Sequence, residues 1–181
     1  MRLFFAVELP AEVQAQLGRL AVNRDGPDYR WVDHSLLHVT LAFLGEQPEE
    51  RLEALEAVGR EAGTGSHAGV LRVGGPGHFG SRRAPRVLYV DIAGDVAALT
   101  TLQANLTEHL KAHGFPTEDR PYRAHITLAR RRETARGGAP AGWPPPVDRA
   151  AFAMDSLTLM SSRLSPRGPR YTPVFHARLH G

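Results

Sequence analysis

His38-Val39-Thr40-Leu41-Ala42 and His125-Ile126-Thr127-Leu128-Ala129 are nearly the same pentamer, written twice in one chain of 181 residues. Four of the five positions are identical, and the fifth sets Val39 against Ile126. Each copy closes the same run of elements. Phe4 to Leu9 reads as a strand, followed by a helix, a turn and the first pentamer. Val87 to Ile92 reads as a strand, followed by a helix, a turn and the second. The interval from opening strand to histidine is about 35 residues in both. A lone His-x-Thr carries no information. The same pentamer at the same place in the same supersecondary unit points to an internal duplication. The units span about 3–45 and 86–130 inside one domain covering 1–181, a length that suits one domain or two small lobes sharing a core.

Alternation along a strand puts residues i and i+2 on one face. His38 and Thr40 therefore share a face, as do His125 and Thr127. Val39, Leu41, Ile126 and Leu128 face the other way and suit packing against helices. The polar face then borders water or a cleft. If a pseudo-two-fold axis relates the halves, the strands confront one another across two histidines and two hydroxyls. That set suits in-line phosphoryl transfer. Imidazole titrates near pH 6.5, so one ring can take the proton of an attacking water while the other protonates a departing alkoxide. Thr40 and Thr127 can donate hydrogen bonds to non-bridging phosphate oxygens. Arg130, directly after the second pentamer, brings a planar fork that grips phosphate. No carboxylate cluster accompanies the histidines, so no metal site and no cofactor is expected.

Composition narrows the class. Apolar residues make up 42% of the chain, which suits a folded globular protein. No apolar run approaches the ~18 residues of a membrane span. Met1 to Pro10 has one basic residue and a short apolar run interrupted by Glu8, which reads as a first strand and not as a signal peptide. With no cysteine, disulfides, thiolate nucleophiles and cysteine zinc sites are excluded, and a cytoplasmic location fits. The net charge is +3 and the basic residues are nearly all arginine. That balance permits an anionic partner, and it equally suits a GC-rich genome. A monomer is the default expectation.

The remaining elements follow from spacing and turn residues. Pro10 opens a helix expected to reach about Arg24. Leu37 to Leu44 is expected as a strand stopping at Gly45. Helices are expected over Pro48 to about Ala62 and Asp95 to about His113, the latter N-capped by Asp95 and closed by Gly114. Val70 to Val73 reads as a short strand, and Gly74-Gly75-Pro76-Gly77 as a loop. Strands over Arg86 to Ile92, Ala124 to Ala129, Phe152 to Met160 and Val174 to Leu179 complete the set. Arg130 to Pro146, rich in Arg, Gly, Ala and Pro, reads as a mobile loop. Its Arg131, Arg132 and Arg136 suit either an electrostatic hold on a phosphate backbone or plain solvation.

The paired motifs resemble those of the 2H phosphoesterase superfamily, and specifically its RNA 2′,3′-cyclic phosphodiesterase branch, formerly called 2′-5′ RNA ligases. The family pattern is His-x-Thr-x-x-Phe followed by His-x-Thr-x-x-Arg, and both are complete here as His38 to Phe43 and His125 to Arg130. The resemblance extends to Arg30-Trp31-Val32, Leu44-Gly45-Glu46, Gly77-His78-Phe79, Arg86 to Val90, Leu157 to Ser162 and Tyr171-Thr172, so it covers nearly the whole chain. It implies an α+β fold of two pseudo-symmetric lobes, each an antiparallel sheet with outer helices, and an active cleft between them. It implies His38 as general acid to the ribose 3′-oxygen and His125 as general base for water. RNA with a 2′,3′-cyclic phosphate end, or a cyclic nucleotide, would leave as a 2′-phosphate. Arg130 would hold the phosphate and Phe43 would stack on the terminal base. Reversible 2′-5′ ligation and RNA-end binding without turnover are the alternatives. Strict alternation places Phe43 and Arg130 opposite their histidines, so both are expected where the strand ends and bends, which Gly45 and the following loop make possible.

Other candidates are weaker. His34 and His38 stand four apart, but the stretch reads as turn into strand, which leaves His34 at a turn. His67, His109, His113 and His180 have no partner motif and read as solvated. His78 falls in the glycine-rich stretch, where loop structure outweighs a substrate contact. His176 reads as structural, Trp31 as core, Trp143 as an anchor of its loop, and Tyr171 as strand-end packing or a cleft edge.

Overall fold

A computed structural model of the chain describes residues 1–166 and 168–181. Its architecture is α+β, with two antiparallel sheets. Strands β1 (Arg2–Glu8) and β3 (His38–Glu46) join β8 (Ser156–Ser165) and β9 (Gly168–Arg178) in the order β3-β1-β8-β9. Strands β2 (Tyr29–Trp31), β4 (Gly69–Gly80), β5 (Pro85–Gly94), β6 (His125–Arg131) and β7 (Ala151–Met154) form the order β2-β6-β5-β4-β7. Neither sheet is a contiguous half of the chain. β8 and β9 return from the C-terminal part to complete the first sheet, and β2 crosses from the N-terminal half to edge the second.

Three helices cover the apolar faces: α1 (Ala11–Gly18), α2 (Leu52–Thr64) and α3 (Val96–Ala112). The buried residues of α3 are Leu99, Leu102, Leu106 and Leu110, a 3-4-4 spacing that makes one stripe. That stripe, with Leu55 and Val58 of α2, packs into a core that includes Phe5 and Val39 of one sheet and Val90 and Ile126 of the other. One continuous core therefore underlies both sheets. Among the described residues, no helix is long and apolar enough to cross a membrane.

Several expectations need correction. The first helix ends at Gly18 rather than about Arg24, and the chain leaves it through three-residue turns, Leu20 N–H to Leu17 O and Ala21 N–H to Gly18 O. Gly74-Gly75-Pro76-Gly77 is no loop: β4 runs straight through it, with a register shift between Val73 and Pro76. Composition misleads there because a bulge tolerates glycine and a proline that cannot donate to the ladder. Phe152 to Met160 is two strands in different sheets, β7 and β8, with the crossing at Asp155. Asp95 sits at the N-terminus of α3, but its carboxylate accepts from the Val70 N–H at 2.7 Å instead of capping the helix. His109 and His113 are not merely solvated: both lie near Glu61, at 3.0 and 3.4 Å.

The stretch after β6 is also tied down. Asp28 Oδ1 accepts from the N–H groups of Arg136 and Gly137 at 2.9 and 3.3 Å. Arg131 spends its guanidinium on the carbonyls of Gly137 and Ala135, at 2.6 and 3.1 Å. Trp143 packs on Trp31, ring centroids 6.1 Å apart. Arg131 is thus occupied holding its own loop, which argues against the backbone-gripping role considered for it.

Candidate active site

The two histidines are held in the same way. His38 Nδ1 lies 2.7 Å from the carbonyl of Leu36, and His125 Nδ1 lies 2.7 Å from the carbonyl of Arg123. A carbonyl only accepts, so Nδ1 carries the hydrogen in both rings. Each Nε2 is left for chemistry, able to accept a proton when the ring is neutral and to donate one when it is charged. His38 Nε2 also lies 3.0 Å from Thr40 Oγ1.

Aromatic rings brace both imidazoles. Phe4 and Tyr171 stand 4.9 and 5.5 Å from the His38 ring. Tyr89 and Phe79 stand 5.3 and 5.0 Å from the His125 ring. The strand beside β3 supplies a phenylalanine and a more distant strand a tyrosine; around β6 the two are exchanged. Tyr89 fits only because residue 77 is glycine: a Cβ there would lie 2.6 Å from the Tyr89 ring. His78, the neighbour considered for substrate contact, pairs with Leu88 on β5 and points to solvent, whereas Phe79 reaches His125.

A β-bulge resolves where Phe43 and Arg130 point. In the β1–β3 ladder Ala6 pairs with Thr40 and Phe5 with Ala42, leaving Leu41 without a partner. In the β5–β6 ladder Tyr89 pairs with Thr127 and Leu88 with Ala129, leaving Leu128 without one. One extra residue reverses the parity of a strand. Val39 and Leu41 are buried, yet Phe43 is 50% exposed; Ile126 and Leu128 are buried, yet Arg130 is exposed. Arg130 does lie at the strand end, as the last residue but one of β6, whereas β3 runs on past Phe43 to Glu46; in both strands the reversal comes from the bulge in mid-strand and not from a bend at the end.

Two cavities meet over these residues. One, of about 750 Å³, is lined by His125 together with Phe79, Gln103, Tyr122 and Arg123. The other, of about 440 Å³, is lined by His38 together with Arg2, Phe4 and Tyr171. Thr40, Phe43, Thr127 and Arg130 line both. The histidines thus stand on either side of a shared strip of two hydroxyls, one guanidinium and one exposed ring. All six residues singled out from sequence come together here.

The electrostatics suit an anion. Burial is the main cause that holds the His38 imidazole below its ordinary pKa; its bond to Leu36 opposes this, and the charges of Arg130 and His125 add to it. His125 is lowered for the same first reason; its bond to the Arg123 carbonyl opposes this, the charges of Arg130 and Arg123 add to it, and that of Asp91 opposes it. An empty cleft therefore favours two neutral rings, and a bound phosphate supplies the negative charge that returns protons to them.

Reading the sequence missed Tyr122, Gln103, Phe79, Tyr89 and Asp91 as neighbours of the site. Asp91 pairs in register with His125 and lies 3.3 Å from Arg123. None of these residues belongs to the repeated pentamer: strand pairing brings up Phe79, Tyr89 and Asp91, and side-chain contacts to the β3 backbone bring up Gln103 and Tyr122.

The chain is similar to known proteins over its full extent. The family model described as the 2′-5′ RNA ligase superfamily matches residues 9–165. The RNA 2′,3′-cyclic phosphodiesterase of Thermus thermophilus is 37% identical, aligned over 100% of this chain and 91% of its own. The Escherichia coli protein of the same name is 31% identical over 96% of this chain and 93% of its own. A crystal structure of a Thermus thermophilus protein superposes with a TM-score of 0.80 at 34% identity, covering 100% of this chain and 99% of that one. The crystal structure of E. coli LigT complexed with 3′-AMP gives 0.80 at 29%, covering 99% and 98%. With a match across residues 9–165 and relatives aligned from end to end, the chain belongs to the 2′-5′ RNA ligase superfamily of 2H phosphoesterases.

Proposed function

We propose that the cleft opens 2′,3′-cyclic phosphates at RNA ends, or in cyclic nucleotides, to 2′-phosphates. The observation that carries this reading is the matched anchoring of His38 and His125. Each Nδ1 is fixed on a backbone carbonyl, so each Nε2 is the nitrogen left to take or give a proton, that of His38 beside the Thr40 hydroxyl, along a strip of phosphate-binding groups. The names of the Thermus and E. coli relatives support the same substrate class.

In the proposed step, His125 Nε2 takes a proton from water as the water oxygen attacks phosphorus. The P–O3′ bond breaks in line, and O3′ takes the proton held on His38 Nε2. The division of acid and base follows the family pattern. The products are a 2′-phosphomonoester and a free 3′-hydroxyl, and the two rings exchange protons with solvent to restore the starting state. Thr40, Thr127 and Arg130 hold the non-bridging oxygens, where charge-assisted bonds are strongest as the phosphorus becomes five-coordinate. Phe43, on the shared strip, stacks on the terminal base. One chain supplies the whole site, so a monomer suffices, and a cytoplasmic setting belongs to the same proposal. We also read units 3–45 and 86–130 as a duplication within one domain 1–181; the bulge repeated at Leu41 and Leu128 supports this.

The cavity beside His125 is larger than one water needs. That favours a second reading, in which a 5′-hydroxyl replaces water and the strands are joined 2′-5′. Product analysis tests both. RNA with a 2′,3′-cyclic end is incubated with EDTA, with and without a 5′-hydroxyl strand, and the phosphate position is determined. A 2′-phosphate end is expected; a 3′-phosphate, or no turnover, would overturn the proposal.

A further inference from the structure

β3 is the last hydrogen-bonded strand of its sheet, and β6 of the second sheet and helix α3 pack against it. Two side chains from the second half reach its backbone there, at the bulge. Tyr122 Oη donates to the Thr40 carbonyl at 3.1 Å. Gln103 Nε2 donates to Thr107 Oγ1 at 3.0 Å and reaches the Leu41 carbonyl at 3.5 Å. Tyr122 is the better placed of the two. The next residue, Arg123, holds His125 through its carbonyl and is itself paired with Asp91. A short path therefore runs from the strand that carries His38, through one hydrogen bond, to the segment that orients His125.

We infer that Tyr122 is a positioning residue whose hydroxyl, bonded to the Thr40 carbonyl, sets the separation of His38 and His125. The inference rests on the function proposed above. An edge strand with a bulge twists more freely than a paired one, so something must fix where its outer face sits. Tyr122 packs against the core, which places its oxygen firmly. Burial also pushes its hydroxyl far above the ordinary tyrosine range, so it stays a donor at any working pH. In-line transfer demands accurate geometry, and a misplacement of ~1 Å can cost on the order of 10²-fold in rate.

The test removes one oxygen at a time. Tyr122→Phe keeps the ring and deletes the tie. Tyr29→Phe is the control, because the Tyr29 hydroxyl makes a comparable buried bond to the Pro85 carbonyl at 2.7 Å, inside the second sheet. With a 2′,3′-cyclic nucleotide, Tyr122→Phe should lower kcat by roughly 10-fold or more and leave KM within about twofold, since Thr127, Arg130 and Phe43 are untouched. Tyr29→Phe should leave kcat near the native value. Equal activity in Tyr122→Phe, or equal losses in both variants, overturns the inference. If the native protein turns over no cyclic end, the functional reading fails instead. The tie is then judged by NMR titration of the ring protons of His38 and His125: an unchanged pair of curves in Tyr122→Phe overturns it, and a shift of the His38 or His125 curve sustains it.

Discussion

Phe43 and Arg130 occupy the same place in two strands: each lies two residues beyond an unpaired bulge residue, Leu41 in β3 and Leu128 in β6. The bulge turns both side chains onto the face that carries His38 and His125. One strand thus supplies an apolar ring and the other a cation at equivalent positions on the strip shared by the two cavities. In the proposed function, this one difference between the two strands gives the ring at Phe43 to the base and the guanidinium at Arg130 to the phosphate.

Replacing either histidine should remove most of the chemistry. His38→Ala and His125→Ala are each expected to lower kcat by about 10²–10⁴-fold on a 2′,3′-cyclic nucleotide with EDTA present. The double variant should be little worse than the poorer single one, because the pair acts as a unit. Rates near the native value in either folded variant, verified by circular dichroism, would be decisive against the proposed roles.

The pH dependence should differ between free and bound states. Burial first, then positive neighbours, hold both imidazoles below 6.5 in the free protein. The active form has one proton on the pair, so kcat/KM, which reports the free enzyme, should peak below pH 6.5. Bound phosphate favours imidazolium and raises both values, so the kcat profile should lie to the alkaline side. Superimposable profiles, or a kcat/KM optimum well above neutrality, would contradict the assignment.

Phe43→Ala should act on affinity. Stacking on a single-stranded base is worth about 1–3 kcal/mol, or roughly 5- to 140-fold in KM at 1.4 kcal/mol per decade. Phe43 is half exposed, so stability should change little. Steady-state kinetics and thermal melts on the same preparation check both; a fall in kcat at constant KM would remove Phe43 from base recognition.

Gly77→Ala should disturb His125 from a distance. The added Cβ would meet the Tyr89 ring at 2.6 Å, and that ring braces the imidazole. Overpacking of this kind costs about 1–3 kcal/mol of stability. The expected result is a lowered melting temperature together with a reduced kcat. Native kinetics in this variant would show that Tyr89 does not locate His125.

Asp28→Ala should loosen the segment after β6 without harming catalysis. It leaves the Arg136 and Gly137 N–H groups to water, for about 1 kcal/mol. Limited proteolysis within 132–146 should accelerate while kcat stays within about twofold. Unchanged protease resistance would mean that Trp143 and Arg131 alone secure the loop.

Much of the site was legible before any coordinates. The repeated pentamer placed His38, Thr40, His125 and Thr127 on strand faces by period-2 alternation, and the structure keeps them there. Alternation failed one step later, because a bulge residue looks like any other leucine in sequence. The glycine-rich part of β4 misled for a related reason: glycine and proline signal a turn locally, yet bulged pairing beside β5 makes a strand of them. The break at Asp155 was invisible because nothing local marks where a chain leaves one sheet for another.

The sequence alone determined the chemistry: two copies of one motif, their residue types and the strand face that carries them. Those are local properties, written in composition and a two-residue period. Tertiary structure decided everything that joins distant segments, including which strands complete each sheet, the parity reversal that brings Phe43 and Arg130 into the cleft, and the Tyr122 bond to Thr40. These depend on pairing across the chain, where long-range hydrogen bonds and a shared apolar core outweigh any local preference.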